Sequence, residues 1–191
     1  MKNDIASGVW PPYETFFIES MLTLTDSAIT SASRIKSIFS RLRSGPVKVN
    51  TYRALNNLQN IIVQSGALSR YFWPSREAYK ERGVHLRRSL DVDDHSPLKS
   101  RTVRDSIEHF DERLDKYLGS LRASNIMPSY FGRKPTDENT PRHYFRAYFI
   151  DTGTFVVLDN EVAITPLVIE VTRIHNILVD CCENGGRLPA T

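Results

Sequence analysis

Apolar residues recur at helical spacing from Tyr13 onward: Phe17, Met21, Leu24, Ala28, Ile35, Ile38 and Leu42 make one amphipathic stripe. Pro11 and Pro12 precede it and suit a first helical turn. The stretch Thr23–Ser33 is rich in Ser and Thr, so a bend or break is expected there, and Gly45-Pro46 stops the helix. A second helix from about Asn50 carries Leu55, Leu58, Ile62 and Leu68 on its apolar face. It is expected to end at Trp73-Pro74, because a residue before proline avoids the α region. The charged stretch Ser75–Arg88 reads as another helix and Asp91–Asp94 as a turn.

The clearest periodicity lies in Arg101–Leu121. Ser96 is a good N-cap and Pro97 a good first helical residue. Val103, Ile107, Phe110, Leu114, Tyr117, Leu118 and Leu121 then fall within a narrow arc of the helical wheel. The polar stretch 122–142, with Pro128, Gly132, Pro135 and Pro141, reads as a long loop. After it, His143–Ile150 and Thr154–Leu158 flank Asp151-Thr152-Gly153, which is a β-hairpin signal, and Asp159-Asn160 could turn again into Glu161–Ile164. Thr165 and Pro166 repeat the cap-then-proline device. Leu167, Val171, Ile174, Leu178 and Cys181 mark a last helix that Gly185-Gly186 ends. The order predicts a mainly α fold in a single domain, 1–191. It would be a bundle of four to five helices, with the 122–142 loop and a small antiparallel β-hairpin at 143–164 inserted before the C-terminal helix.

Composition narrows the chemistry only a little. A chain of 191 residues can bury a real core, and 40% apolar with 25% charged residues is ordinary for a globular protein. A net charge of +3 is compatible with a polyanion partner without demanding one. The two cysteines, Cys181 and Cys182, are adjacent, and neighbours rarely bridge each other. With no disulfide framework, a cytoplasmic setting is expected. No signal peptide, no transmembrane helix and no membrane partner are expected, since the N-terminus lacks an apolar run and no stretch of about 18 apolar residues occurs. The Walker, GxGxxG, HExxH and GxSxG patterns are all missing, so neither a cofactor nor a metal is expected.

The charged residues of Arg101–Arg113 offer the sharpest chemistry. Arg104 and His109 are five apart, hence about 140° apart on a straight helix. Asp105 stands four before His109, where side chains meet; it could hold one imidazole nitrogen and leave the other free for proton transfer. Arg101 and Arg113 are candidate anion-binding residues on either side. Metal-free RNA cleavage needs a group of near-neutral pKa and a fixed cation for the developing phosphorane charge. One straight helix splays Arg104 and His109 apart, so a site would take a bend at the start of the helix or a second copy across a two-fold axis. The same residues could equally make weak surface ion pairs with Asp105, Glu108, Asp111 and Glu112.

The string Arg104-Asp105-Ser106-Ile107-Glu108-His109-Phe110-Asp111-Glu112-Arg113-Leu114-Asp115 resembles the motif helix of the HEPN superfamily (higher eukaryotes and prokaryotes nucleotide-binding). That family's mark is an Arg, usually followed by a polar residue, then a His four to six positions on. The EHFDER extension suggests a bacterial branch. The resemblance implies a helical bundle and a metal-independent endoribonuclease of toxin–antitoxin or phage-defence type. It also implies a homodimer with the motif at the dimer cleft, and an antitoxin or defence partner. Arg104 would contact phosphate, His109 would act in acid/base chemistry and Asp105 would be the polar residue after Arg. Two features depart from the family: Asp105 stands where Asn is common, and the minimal bundle has no hairpin. The alternative is a non-catalytic nucleotide- or RNA-binding or protein-interaction helical domain.

Other candidates are broader. Arg34, Lys36, Arg41 and Arg43 make a basic end to the first helix, which could track a phosphate backbone or simply answer the helix dipole. Tyr71, Phe72 and Trp73 could stack on bases or close a core. His85, His95, Arg87 and Arg88 could make a basic loop, in a spacing that matches no metal site. His175 reads as an edge-of-core histidine.

Overall fold

Three apolar stripes organise the computed structural model, which describes residues 9–46, 48–100, 110–119, 125–136 and 142–190. The first helix, α1 (Glu14–Ser44), buries Ile18, Met21, Ala28 and Ile35 along one line. The second, α2 (Thr51–Phe72), buries Leu55, Leu58, Ile61, Ile62, Leu68 and Phe72. Two shorter helices follow, α3 (Lys80–Ser89) and α4 (Phe110–Gly119). The last, α5 (Ile164–Glu183), buries Leu167, Val171, Ile174, Leu178 and Cys181. These stripes meet in one core. Each fully buried Leu, Ile or Phe contributes about 1.5–3 kcal/mol, so this shared seam is the main stabilising term.

The Ser/Thr-rich middle of α1 does not break the helix, which runs unbroken from Glu14 to Ser44. Its hydroxyls are used between helices. Thr25 is fully buried, and its Oγ1 lies 3.0 Å from Nδ1 of His175 on α5. Asn60 of α2 donates through Nδ2 to the Ser27 carbonyl and to the Ser31 hydroxyl, at 3.3 and 2.9 Å. Small polar residues let the helices approach, and the bonds satisfy groups that burial would otherwise penalise. Helix α2 starts and stops as its sequence signals: the Asn50 side chain accepts from the Arg53 amide at 3.0 Å, and Trp73-Pro74 ends it.

Between α3 and α4 the cap signal is spent early. Ser96 Oγ accepts from the Leu98 amide, but Pro97–Lys99 is only one 3-10 turn, and Ser100 returns to extended geometry with ψ 127°. Ser96 and Pro97 therefore do not open the long helix expected at Arg101–Leu121. Its described part is helical over Phe110–Gly119, while 101–109 and 120–121 lie outside the described residues.

The stretch 122–142 is not simply a loop, because Asn125–Gly132 is a strand, β1. It joins β2 (Arg142–Phe149), β3 (Thr154–Val157) and β4 (Asn160–Ala163) in a sheet of order β1-β2-β3-β4. The β2–β3 hairpin is antiparallel, as expected, and so is β3–β4; β1 runs parallel to β2, so the sheet is mixed rather than a hairpin. Residues 133–141 are all that separate these parallel neighbours, whereas such connections usually take a dozen or more. Pro128 is tolerated because β1 is an edge strand. Phe131 of β1 stacks on Tyr148 of β2 at 5.5 Å, and Phe39 of α1 meets both rings at 6.1 Å; β1 and β2 themselves lie against α2, so the sheet touches both long helices. Phe155, Val157 and Val162 join the helical core from the same sheet.

The chain end closes on its beginning. α5 begins at Ile164, so Thr165 is not its cap and Pro166 lies in its first turn. At its other end Gly185 takes φ +90°, and the Gly186 amide bonds back to Cys181 O at 2.9 Å, which satisfies an end carbonyl. The buried Glu14 carboxylate then accepts from Arg187 Nε at 2.8 Å and from the Leu188 amide at 2.9 Å. No helix among the described residues is long and apolar enough to cross a membrane.

Two predictions follow from these contacts. In most helices Gly→Ala gains about 1 kcal/mol. At Gly83 a Cβ would stand 2.6 Å from both the Phe72 carbonyl oxygen and Pro74 Cδ, so the sign reverses. Gly83→Ala should lower the urea midpoint, and an unchanged or raised midpoint contradicts that packing. At Glu14 burial pushes the carboxyl pKa up, but the bonds from Arg187 and Leu188 outweigh it and hold it below the usual range. A depressed folded pKa stabilises fully above the ordinary glutamate value of about 4.3 and is lost as the pH falls below it. The Tm gap between wild type and Glu14→Gln should therefore be largest near neutral pH and narrow below pH ~4.3; a constant gap contradicts it.

Candidate functional site

The HEPN-like motif can be placed only in part. Arg101, Arg104, Asp105 and His109 lie outside the described residues. Arg113 is described on α4: its Nη2 donates to Asp159 Oδ1 in the β3–β4 turn at 3.1 Å. One turn on, Tyr117 Oη lies 2.9 Å from His143 Nδ1 of β2, with the rings edge-on at 5.7 Å. Burial raises the Tyr117 phenol, and the Asp159 charge adds to it. These two contacts dock α4 on the sheet.

The remaining candidates separate cleanly. Phe72 is fully buried, Tyr71 meets Phe17 edge-on and bonds to the Ser20 hydroxyl, and Trp73 packs beneath Arg87, so this trio closes the core. Arg87 donates to the Phe72 carbonyl at 2.5 Å, a structural bond. Cys181 is buried and burial raises its thiol pKa, so it is a packing residue. Among the described residues no group of three or more His, Cys, Asp or Glu is placed to hold a metal ion.

The basic end of α1 is split by the fold. Arg34 and Arg41, seven apart, face α2, while Lys36 and Arg43 lie about 200° round the helix from them. Across from Arg34 and Arg41 stand Lys48 of the connection, the N-cap Asn50, and Arg53 in the first turn of α2. Together they line a 360 Å³ cleft. It continues through Arg34, Arg53 and Asn57 into a second cleft of 480 Å³, whose other walls are Ser31, Asn56 and Asn60. The result is one groove between two helices, with cations on both banks and amides along the floor.

Local folding explains the arrangement. Asn57 Nδ2 bonds the Arg53 carbonyl at 2.8 Å, and Asn60 is held by Ser27 and Ser31, so the amides are fixed rather than free-swinging. Arg34 reaches Asn57 Oδ1 only at 3.5 Å, a weak bond that leaves its guanidinium available. The first turn of α2 carries no acidic residue, so the positive end of its dipole adds to Lys48 and Arg53 instead of being neutralised.

Among the described residues no carboxylate lines either cleft, and the sequence shows why. From Ser27 to Arg76 there are eight Lys and Arg residues and no Asp or Glu, although the whole chain has 25 basic and 22 acidic residues. The rest of the chain is therefore net negative. The signal was present in the sequence, but a whole-chain charge of +3 conceals it. The groove offers paired guanidinium forks and amide donors and acceptors. That is a set for holding phosphate-bearing ligands, with no imidazole, thiol or carboxylate to move a proton.

No protein-family model matches the chain, and neither a curated protein nor a solved structure matches it.

The α4 docking contacts carry their own test. Tyr117→Phe removes the bond to His143 and should cost about 1 kcal/mol in urea unfolding. Equal stability of variant and wild type would show that this contact does not hold α4.

Proposed function

We propose that this chain is an RNA-binding protein that grips the phosphate backbone in the α1–α2 groove. One observation carries the reading: Arg34, Arg41, Lys48 and Arg53 converge on a groove that, among the described residues, no carboxylate lines. Four like charges, two on α1 and two on the connection and first turn of α2, repel one another, and such a cost is offset when an anion lies between them. Arginine forks match phosphate geometry in two hydrogen bonds at once, which favours a phosphodiester over a scattered set of carboxylates. The amide floor, Asn56, Asn57 and Asn60, can then meet base edges.

The Arg104-x4-His109 spacing favours a second reading, a HEPN-type metal-independent endoribonuclease. There Arg104 contacts phosphate, His109 moves protons and the site is completed in a homodimer, with an antitoxin or defence protein as partner. The two readings concern different residues and can both hold.

Binding should depend steeply on salt. Single strands give a slope of about −0.7 per neutralised phosphate, so four contacts predict a Kd about fifty-fold weaker at 200 mM than at 50 mM salt. The double reversal Arg34→Glu/Arg53→Glu should remove binding without lowering the Tm. A salt-insensitive affinity that survives the double reversal sinks the groove reading. Incubation with RNA in EDTA separates the second reading: cleavage by wild type that His109→Ala abolishes supports the ribonuclease, and RNA left equally intact by both rejects it.

A further inference from the structure

Beside the groove stands an exposed aromatic ring on a fixed support. Tyr52, in the first turn of α2, is 64% exposed. The Arg146 guanidinium of β2 lies over its ring, with Cζ 5.5 Å from the centroid. Arg146 is itself buried, 8% exposed, and its Nη1 donates to Asn56 Oδ1 at 2.7 Å and to Gln59 Oε1 at 2.8 Å. Positions 52, 56 and 59 follow one face of α2, so tyrosine, guanidinium and amides form a single assembly. Asn56 belongs to this assembly and to the wall of the larger cleft.

Arg146 is unusual in its pairing. A buried cation normally has a carboxylate. Arg146 has none among the described residues, and its Nε, also buried, has no partner. Burial lowers its pKa, yet an arginine stays charged. Its field is therefore left uncancelled beside the groove. Its other effect is mechanical: it holds one face of the Tyr52 ring, so a partner on the exposed surface of that ring meets an aromatic group with little freedom to lose.

We propose that the groove takes single-stranded nucleic acid, with one unpaired base stacking on Tyr52 while the flanking phosphates lie along Arg34 and Arg53. This rests on the groove being a nucleic-acid surface. Bases in a duplex are stacked on each other and cannot reach a side chain standing on a helix, whereas a single strand can splay a base onto an aromatic face. The amides of Asn56 and Asn60 lie where the next base edge would fall, and they tolerate several bases because they both donate and accept.

The experiment is fluorescence anisotropy of the full chain with a labelled 12-nucleotide RNA, as a single strand and annealed to its complement. Wild type should bind the single strand at least ten-fold more tightly than the duplex. Tyr52→Ala should weaken single-strand binding by about ten-fold, since stacking is worth roughly 1–3 kcal/mol per base, and leave duplex binding unchanged. Tyr52→Phe keeps the ring and should bind as wild type. Tyr52→Leu keeps apolar bulk over Arg146 and should bind as weakly as Tyr52→Ala, which separates stacking from loss of packing. Equal affinity for strand and duplex, or a Tyr52→Leu variant that binds as wild type, overturns the stacking proposal. Either result leaves the groove reading standing if Arg34→Glu/Arg53→Glu still abolishes binding. If wild type binds neither RNA at low salt, the groove reading fails and the stacking proposal with it.

Discussion

Two long helices lie side by side, and from Ser27 to Phe72 they and their connection carry seven Lys and Arg residues and no Asp or Glu; the rest of the molecule is arranged around keeping them there. Between α1 and α2 the attraction is apolar burial: Ile18, Met21, Ala28 and Ile35 against Leu55, Leu58 and Ile62. The opposing term is repulsion among Arg34, Arg41, Lys48 and Arg53 on the solvent side of the same pair. Such repulsion is about 1 kcal/mol for a close pair in bulk water and about 4 kcal/mol near a protein surface, falling with separation, while each of the buried Leu and Ile side chains contributes about 1.5–3 kcal/mol, so the seam as a whole wins and the charges are held together. A cationic groove exists because the core below it can sustain it.

The other elements brace that seam. α5 closes the core and ties to α1 through Thr25 and His175, and Arg187 and Leu188 hold the start of α1 through Glu14. The sheet leans on α1 through Phe39, Phe131 and Tyr148, and sends Arg146 under Tyr52 at the start of α2. Arg173 links α5 to the turn at Leu90 and Asp91 through backbone carbonyls, and bonds to Glu170, which raises its pKa. The framework is stiff where the groove's amides sit, and exposed polar side chains are left to face solvent.

The long helices could be read from the chain because a 3.6-residue stripe survives whatever packs on it. The Ser/Thr run in α1 misled because hydroxyls that favour breaks in isolation were satisfied by Asn60 and His175, partners remote in sequence. β1 was hidden for a different reason. Its Pro128 and Gly132 look like loop, the pairs Ile126-Met127 and Tyr130-Phe131 break the alternation of a half-buried strand, and the pairing comes from a parallel partner eight residues long. The groove was half legible. Arg34 and Arg41 stood out, but Lys48 and Arg53 belong to the next element, and only the fold sets them opposite. Arg146 and Tyr52 gave no local signal, since a single Arg in a strand is ordinary until its burial without a carboxylate is seen. The HEPN-like residues Arg104, Asp105 and His109 lie outside the described residues, so sequence spacing alone still speaks for them.

The most direct measurement is to titrate the isotopically labelled chain with a short single-stranded RNA and map backbone amide shifts. Perturbations concentrated in residues 31–41 and 48–60, with Arg146 responding and the outer face of α5 silent, are the predicted result. Shifts centred on α4 and the residues before it, or spread evenly over the surface, would contradict the claim that the α1–α2 groove is the binding site.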